Sequence, residues 1–187
     1  MGVTARKEHQ GSLTYRDLWC APEDGNRYEI MEGEVYVTPP PSVTHQRVSG
    51  NLGRILMNHV VAHDLGIVLL APVGVVLEKL SGVQPDIIFV ARRRLSIVQE
   101  KAVFGAPDLV AEVLSSSTAA RDRGVKKDLY ARSRVQHYWL LDPRKQTLQA
   151  FRLQRDAYTR AAERTGKAIF RPPLFPGLVI RLADVWA

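Results

Sequence analysis

Asp108-Leu-Val-Ala-Glu-Val-Leu114 is an apolar run of strand length with one acid, Glu112, in its interior. The run lacks the in-out alternation of a half-exposed strand, so both of its faces are expected to be covered, as in the central strands of an α/β sheet. Pro85-Asp-Ile-Ile-Phe-Val90 has the same character and opens on Asp86. Gln136-His-Tyr-Trp-Leu-Leu141 is a third buried run, stopped by Asp142-Pro143 because proline has no N–H to give a ladder. Residues 118–134 read as a helix between the Glu112 strand and this third run. The order predicts an α/β fold in which a mixed central sheet has helices packed against it.

The pattern extends outward from this centre. Thr14 and Asp17 have the spacing of an N-terminal capping arrangement, which predicts a short helix over Tyr15–Cys20. Arg27–Met31 and Glu34–Thr38 flank Glu32-Gly33 and predict a tight hairpin. Val48, Leu52, Ile55, Leu56 and Val60 recur at helical spacing, predicting a long helix over residues 44–63 with Gly66 in the C-cap role. Further β-rich runs stand at residues 67–71 and 73–78, and an irregular basic stretch at residues 92–105. Runs at residues 147–153, 157–162, 168–170 and 178–182 read as additional antiparallel strands at the C-terminus.

A chain of 187 residues with 45% hydrophobic composition can bury one core, so a single domain is expected over residues 13–187, behind a flexible N-terminus at residues 1–12. Lys and Arg total 26 against 19 Asp and Glu, a formal net charge of +7. That balance favours polyanionic partners, although the same charge can serve solubility alone. Cys20 is the only cysteine, which excludes an intrachain disulfide and a cysteine-rich zinc site and suits a reducing compartment. No stretch approaches the ~18 consecutive apolar residues of a spanning helix. The chain reads as soluble and cytoplasmic, with no membrane partner.

Carboxylates among apolar strand residues need partners, because desolvating an unpaired one costs several kcal/mol. Magnesium would satisfy Asp86 and Glu112, since it takes hard oxygen ligands, commonly one or two carboxylates with waters and phosphate oxygens. An arginine partner for one acid and a solvated strand end for the other would also satisfy them. On the helix that follows, Asp122, Lys126 and Tyr130 stand at i, i+4 and i+8 and share one face. Lys126 could there reach a phosphate or a metal-bound water; an Asp122–Lys126 pair on a solvated helix fits the same spacing.

A wider series of motifs runs through the chain: Arg27-Tyr-Glu-Ile-Met-Glu-Gly-Glu34, Pro39-Pro-Pro-Ser with His45-Gln46, Val83-Gln-Pro-Asp86, and Ala106-Pro-Asp-Leu-Val-Ala-Glu112-Val-Leu-Ser115. Asp122, Lys126 and Tyr130, then Tyr138-Trp-Leu-Leu-Asp-Pro143, and the tail Pro172-Pro-Leu-Phe-Pro-Gly-Leu178 complete it. In order and spacing, over about residues 13–187, the series resembles the Uma-type family of putative restriction endonucleases, classed with the PD-(D/E)XK nucleases. The resemblance implies a restriction-endonuclease-like fold, a metal-dependent endonuclease acting on nucleic acid, most often DNA, and a magnesium or manganese cofactor.

Carried onto this chain, the resemblance makes Asp86 the acid of the PD motif and Glu112 the acid of the E-x-K motif, the two together holding the metal. Leu114 stands where the lysine of that motif is expected, and the resemblance implies that Lys126 has taken its place. Lys127 points about 100° away on a helix. Glu29 is the candidate first-motif acid, with Glu34 and His45 as further candidates nearby, and Asp122 and Tyr130 flank the lysine. Arg134-Val135 and His137 depart from the usual Gly-Val pair and acid before Tyr-Trp, altering the helix exit and the region where a homodimer surface is expected. Ser116 occupies a more usual proline position. Arg92, Arg93, Arg94, Arg121 and Arg123 are candidates for gripping backbone phosphates.

Other chemistries fit poorly. His59 and His63 have the i, i+4 spacing of a helical zinc pair, but no Glu stands beside His59 as the metalloprotease motif demands. No Gly-x-Ser-x-Gly elbow exists for a serine hydrolase. Tyr138 and Trp139 could stack on bases, yet beside Leu140 and Leu141 they read as core. A non-catalytic nucleic-acid-binding or protein-interaction module on a nuclease-like fold stands as the alternative to the enzyme.

Overall fold

Leu109–Val113, with all five residues buried, is an interior strand of a mixed six-stranded sheet in the computed structural model, which describes residues 12–187. The flexible terminus expected at residues 1–12 falls, for residues 1–11, outside the described residues. In chain order the elements are a 3-10 helix Tyr15–Cys20, β1 Arg27–Met31, β2 Glu34–Thr38, α1 Val43–Ala62, β3 Gly66–Leu70, β4 Val75–Glu78, β5 Ser81–Val83 and β6 Ile87–Ala91. A second 3-10 helix Arg92–Ile97 follows, then β7 Val103–Phe104, β8 Leu109–Val113, α2 Ala119–Arg123, α3 Val125–Arg132, β9 His137–Asp142, β10 Thr147–Gln154 and β11 Ala157–Thr165. β12 Ile169–Phe170, β13 Ile180–Arg181 and α4 Leu182–Trp186 end the chain.

Among the described residues the large sheet has the order β11-β10-β9-β8-β6-β3, and a second, five-stranded sheet the order β2-β1-β5-β4-β7. Of the strand pairs among the described residues, only β8 with β9 and β4 with β7 run parallel; the remaining pairs, the C-terminal β10–β11 hairpin included, are antiparallel. One face of the large sheet is covered by α1, whose Val48, Leu52, Leu56 and Val60 pack with Phe89, Trp139, Leu141 and the C-terminal Phe175 and Val185. On the other face Ile88, Val90, Val110, Tyr138 and Leu140 meet Leu129 and Tyr130 of α3 and Met31, Val75 and Val83 of the small sheet. Tyr138 and Trp139 are core residues, 0% and 1% exposed. No helix among the described residues is long and apolar enough to cross a membrane.

Local chemistry explains most boundaries. Thr14 and Asp17 form the expected capping box, with the Thr14 N–H donating to Asp17 Oδ2 at 2.7 Å. Glu32 and Gly33 both take positive φ, 56° and 83°, the backbone of a two-residue type I′ hairpin turn. Three expectations are corrected. α1 ends at Ala62 with His63 as its C-cap, and Asp64 takes the left-handed position (φ 54°), so Gly66 is no cap; it opens β3, where a Cβ would lie 2.1 Å from the Val90 carbonyl oxygen. The helix expected over residues 118–134 is two helices broken at Gly124, whose φ −112° and ψ −103° are not helical. The run at residues 178–182 is only two residues of strand before α4, with Leu182, Val185 and Trp186 buried.

Candidate active site

β6 and β8 are antiparallel neighbours with Ile87 opposite Ala111, which sets Asp86, just before β6, beside Glu112. The two acids latch the strands together. The Asp86 N–H donates to Glu112 Oε2 at 3.3 Å, and the Val113 N–H donates to Asp86 Oδ2 at 2.8 Å. Alternation puts Glu112 on the face of Val110 and Leu114, turned toward α3 and the small sheet, and both acids are 2% exposed.

Four further elements converge there. β1 contributes Arg27 and Glu29, two residues apart and therefore on one face. Arg27 Nη1 lies 3.0 Å from Asp86 Oδ1 and also donates to the Gln84 carbonyl at 2.9 Å. The first turn of α1 contributes His45, 8% exposed, with Nε2 3.0 Å from Asp86 Oδ2 and Nδ1 buried without a partner. α2 and α3 contribute Asp122, Lys126 and Tyr130. Lys126 Nζ sits 2.8 Å from Glu29 Oε1, 2.9 Å from Glu112 Oε1 and 3.9 Å from Asp122 Oδ1. The Tyr130 hydroxyl donates to Glu112 Oε1 at 2.7 Å. Lys127, the neighbour on α3, instead lies over the Phe151 ring, 4.3 Å from its centroid.

The electrostatics follow from burial. Desolvation raises the Asp86 carboxyl, but His45, Arg27 and the Val113 amide outweigh it and hold the pKa at about 2. Burial pushes Glu112 up to about 8 against the pull of Lys126, with Asp86, Asp122 and Glu29 adding like-charge repulsion. Asp122 is raised for the same first reason. Desolvation lowers Lys126, yet Glu112, Glu29 and Asp122 raise it on balance, so the ammonium stays charged at neutral pH. One ammonium faces three buried acids, so burial and like-charge repulsion together favour a proton held within the cluster.

A cavity of about 430 Å³ opens over these groups, lined by Asp86, Glu112, Asp122, Lys126, Arg27 and His45 together with the Pro39-Pro-Pro-Ser42 loop, the 115–118 hydroxyls, Arg121 and Arg144.

The sequence matches the Uma2 family, described as putative restriction endonuclease, over residues 14–183. The chain belongs to this family. The Uma2 match spans every acid of the cluster and Lys126. The fold is that of a solved structure described as a putative nuclease belonging to DUF820 from Anabaena variabilis, with a TM-score of 0.77 and 20% identity over 93% of this chain and 97% of that one. No curated protein sequence matches.

The remaining sequence candidates scatter over this Uma2 chain. Arg121 reaches the cavity, its Nη2 2.5 Å from Thr38 Oγ1 and 3.8 Å from Glu29 Oε2. Arg123 is half-exposed and turned to Asp142 at 3.4 Å and Gln149 at 3.0 Å. Arg92, Arg93 and Arg94 follow β6 at its opposite end from Asp86; Arg92 pairs with Asp64, and Arg94 with Asp108 at 3.1 Å. Glu34 is exposed on β2 and accepts from the Tyr36 hydroxyl. Residues passed over in the sequence include Arg27, legible as the same-face neighbour of Glu29, and Arg144, which has no signal beyond its charge.

Among the described residues no group of three or more His, Cys, Asp or Glu side chains forms a ready-made metal cage. The donor set nonetheless suits a hard cation that keeps most of its waters. Asp86 and Glu112 are carboxylates side by side at a solvent cavity, and Glu29 Oε2 is buried without a hydrogen-bond partner.

Proposed function

We propose that this protein is a divalent-metal-dependent endonuclease that hydrolyses phosphodiester bonds in nucleic acid, with DNA as substrate and magnesium or manganese as the cation. The observation that carries the reading is the mutual latch of Asp86 and Glu112, which puts two carboxylates from adjacent strands at one cavity with the Lys126 ammonium 2.9 Å from Glu112. Membership in a family of putative restriction endonucleases supports the same reading.

A magnesium ion held by Asp86 and Glu112 would supply positive charge against the scissile phosphate and the departing oxygen. The chain's own residues do the rest. Lys126 keeps its charge at neutral pH and holds Glu112 Oε1, so a cation is fixed beside the reacting phosphate without cost at the moment of reaction. Glu29 and Tyr130 fix the positions of Lys126 and Glu112. Arg27 and His45 orient Asp86. Arg121 and Arg144, with the 115–118 hydroxyls, provide donors for non-bridging phosphate oxygens.

The test is incubation of the purified protein with supercoiled plasmid, linear duplex and single-stranded DNA, with magnesium, with manganese and with a chelator. Cleavage that requires the metal supports the proposal; no cleavage of any substrate with either metal overturns it.

A further inference from the structure

The face of the large sheet that carries α1 holds a second, wider cavity, of about 690 Å³, between β9–β11 and the chain at residues 169–174. Strand register fixes which side chains face it. Trp139 and Leu141 of β9 lie in the core on the α1 side, so alternation turns His137 to the same face. Arg152 stands directly opposite His137, and Arg164 directly opposite Leu148, another residue of that core. Phe170, edge-on to Trp139 with ring centroids 5.2 Å apart, pins the far wall, to which Arg171 belongs. Glu112 faces the other side of the sheet, with Val110 and Leu114, so this cavity has no part in the acid cluster.

Three guanidiniums and an imidazole therefore surround one space, and no Asp or Glu among the described residues lines it. The guanidiniums of Arg152 and Arg171 make no ion pair and no hydrogen bond among the described residues, and Arg164 donates only to the Glu163 carbonyl, at 2.8 Å. The neighbouring acids are engaged elsewhere. Glu163 stands opposite Gln149 on the other face, where Gln149 and Arg160 hold it. Asp108 is taken by Arg94 at 3.1 Å and by the Ala91 N–H at 2.8 Å. Arg152 and His137, set directly opposite across a strand pair, repel once the imidazole is protonated. Burial first, and then the Arg152 charge, hold that imidazole below its ordinary pKa against a smaller pull from Asp108.

The fold gains nothing from this arrangement, whereas an anion laid across β9 and β10 would be met by donors from both strands and the far wall. Arginine forks match the paired oxygens of phosphate and carboxylate groups. Ile169, Pro173 and Leu174 add apolar surface that suits an organic body, and the volume lies within the ~300–1,000 Å³ of small-molecule sites. We propose that this cavity is a second ligand site, taking a small organic anion with clustered phosphate or carboxylate oxygens that Arg152, Arg164 and Arg171 grip. The site stands apart from the nuclease reading, since none of its lining residues lines the cavity at Asp86.

The test is calorimetric titration of the full chain with ATP, with inorganic pyrophosphate and with citrate, in the presence of a chelator. Wild type is compared with Arg152→Gln, Arg164→Gln, His137→Glu and Arg144→Gln, with a thermal melt of each. At least one of the three anions should bind one-to-one with Kd below about 100 μM. Binding of both phosphate compounds identifies phosphate as the anchor, ATP alone a nucleotide, and citrate alone a polycarboxylate. Arg152→Gln and Arg164→Gln should each weaken that binding about tenfold. His137→Glu should abolish it with Tm at or above that of the wild type, because the new carboxylate gives Arg152 its counter-charge. Arg144→Gln, in the other cavity, should leave it unchanged. Absence of saturable binding for all three anions, binding that survives in both Arg152→Gln and His137→Glu, or binding lost in Arg144→Gln overturns the site.

Discussion

The Lys126 ammonium lies 2.8 Å from Glu29 Oε1 and so carries an ion pair from α3 across to β1, an interior strand of the smaller sheet. The same ammonium holds Glu112 on the larger sheet, so this side chain joins the two sheets at the cavity, as the Arg27–Asp86 pair also does.

Removing that cation leaves buried acids unpaired, a change that costs about 3–5 kcal/mol in comparable cases. Lys126→Met is therefore expected to lower Tm by on the order of 10 °C at pH 8. The Lys126 pKa is raised above 10.5, so its stabilisation is complete below that value and constant between pH 5 and 8. The acids orphaned in the variant can take up protons, so its deficit should narrow as the pH falls from 8 to 5. Thermal melts across that range check both effects; a deficit that is absent or that widens on acidification contradicts them.

Glu112 makes an opposite contribution. Its folded pKa of about 8 lies above the ordinary 4.5, so the native state binds the extra proton. The stability this provides is full below about pH 4.5 and is lost as the pH rises towards 8, a change of a few kcal/mol. Asp86, held at about 2, stabilises above about pH 3.8 and ceases to do so only as the pH falls through 2, outside this window. Chelator-treated protein should therefore lose stability between pH 5 and 8, and Glu112→Gln should flatten that slope. A slope of the same size in the variant contradicts the assignment.

A cation that binds ionised Glu112 must displace the proton, so magnesium should stabilise the protein more at pH 8 than at pH 6. Melts with and without 10-fold increments of magnesium read this directly without any activity assay. A magnesium effect that is independent of pH, or that persists in Glu112→Gln, places the ion elsewhere.

Two arginines test where phosphate is gripped. Arg144 is exposed at the cavity, whereas Arg93 is exposed beyond the far end of β6. Arg144→Ala should weaken binding to all sequences alike and reduce the salt slope by about one; Arg93→Ala should change neither. Salt titrations of duplex and single-strand binding decide, and an effect confined to Arg93→Ala reverses the placement of the substrate.

The sequence announced the centre of this fold because burial on both faces leaves continuous apolar runs, against which Asp86 and Glu112 stand out. Helical spacing likewise put Asp122, Lys126 and Tyr130 on one face, even though Gly124 breaks the helix between Asp122 and Lys126. Pairing between distant strands left no such trace. β5 and β7, three and two residues long, owe their structure to neighbours on the small sheet and lack patterns of their own. The roles of Arg27 and Arg144 depend on how β1 and the 143–144 turn meet the acid cluster in space, which no local spacing records. The basic residues 92–94 show the converse: a conspicuous charge run that the chain turns away from the acid cluster.

Glu112→Gln separates cutting from binding most directly. The amide has the shape of the protonated carboxyl that burial favours, so the variant should fold as well as the wild type at neutral pH, yet it lacks the charge that would hold a cation. Magnesium-dependent cleavage of plasmid, linear duplex and single-stranded DNA is measured for both proteins, with affinity for the same substrates in parallel. The expected result is metal-dependent cleavage by the wild type, lost by at least two orders of magnitude in Glu112→Gln, with affinity within a few fold. Tight binding by a wild type that cuts none of these substrates with magnesium or manganese would contradict the enzyme and leave a nucleic-acid-binding module on a nuclease fold.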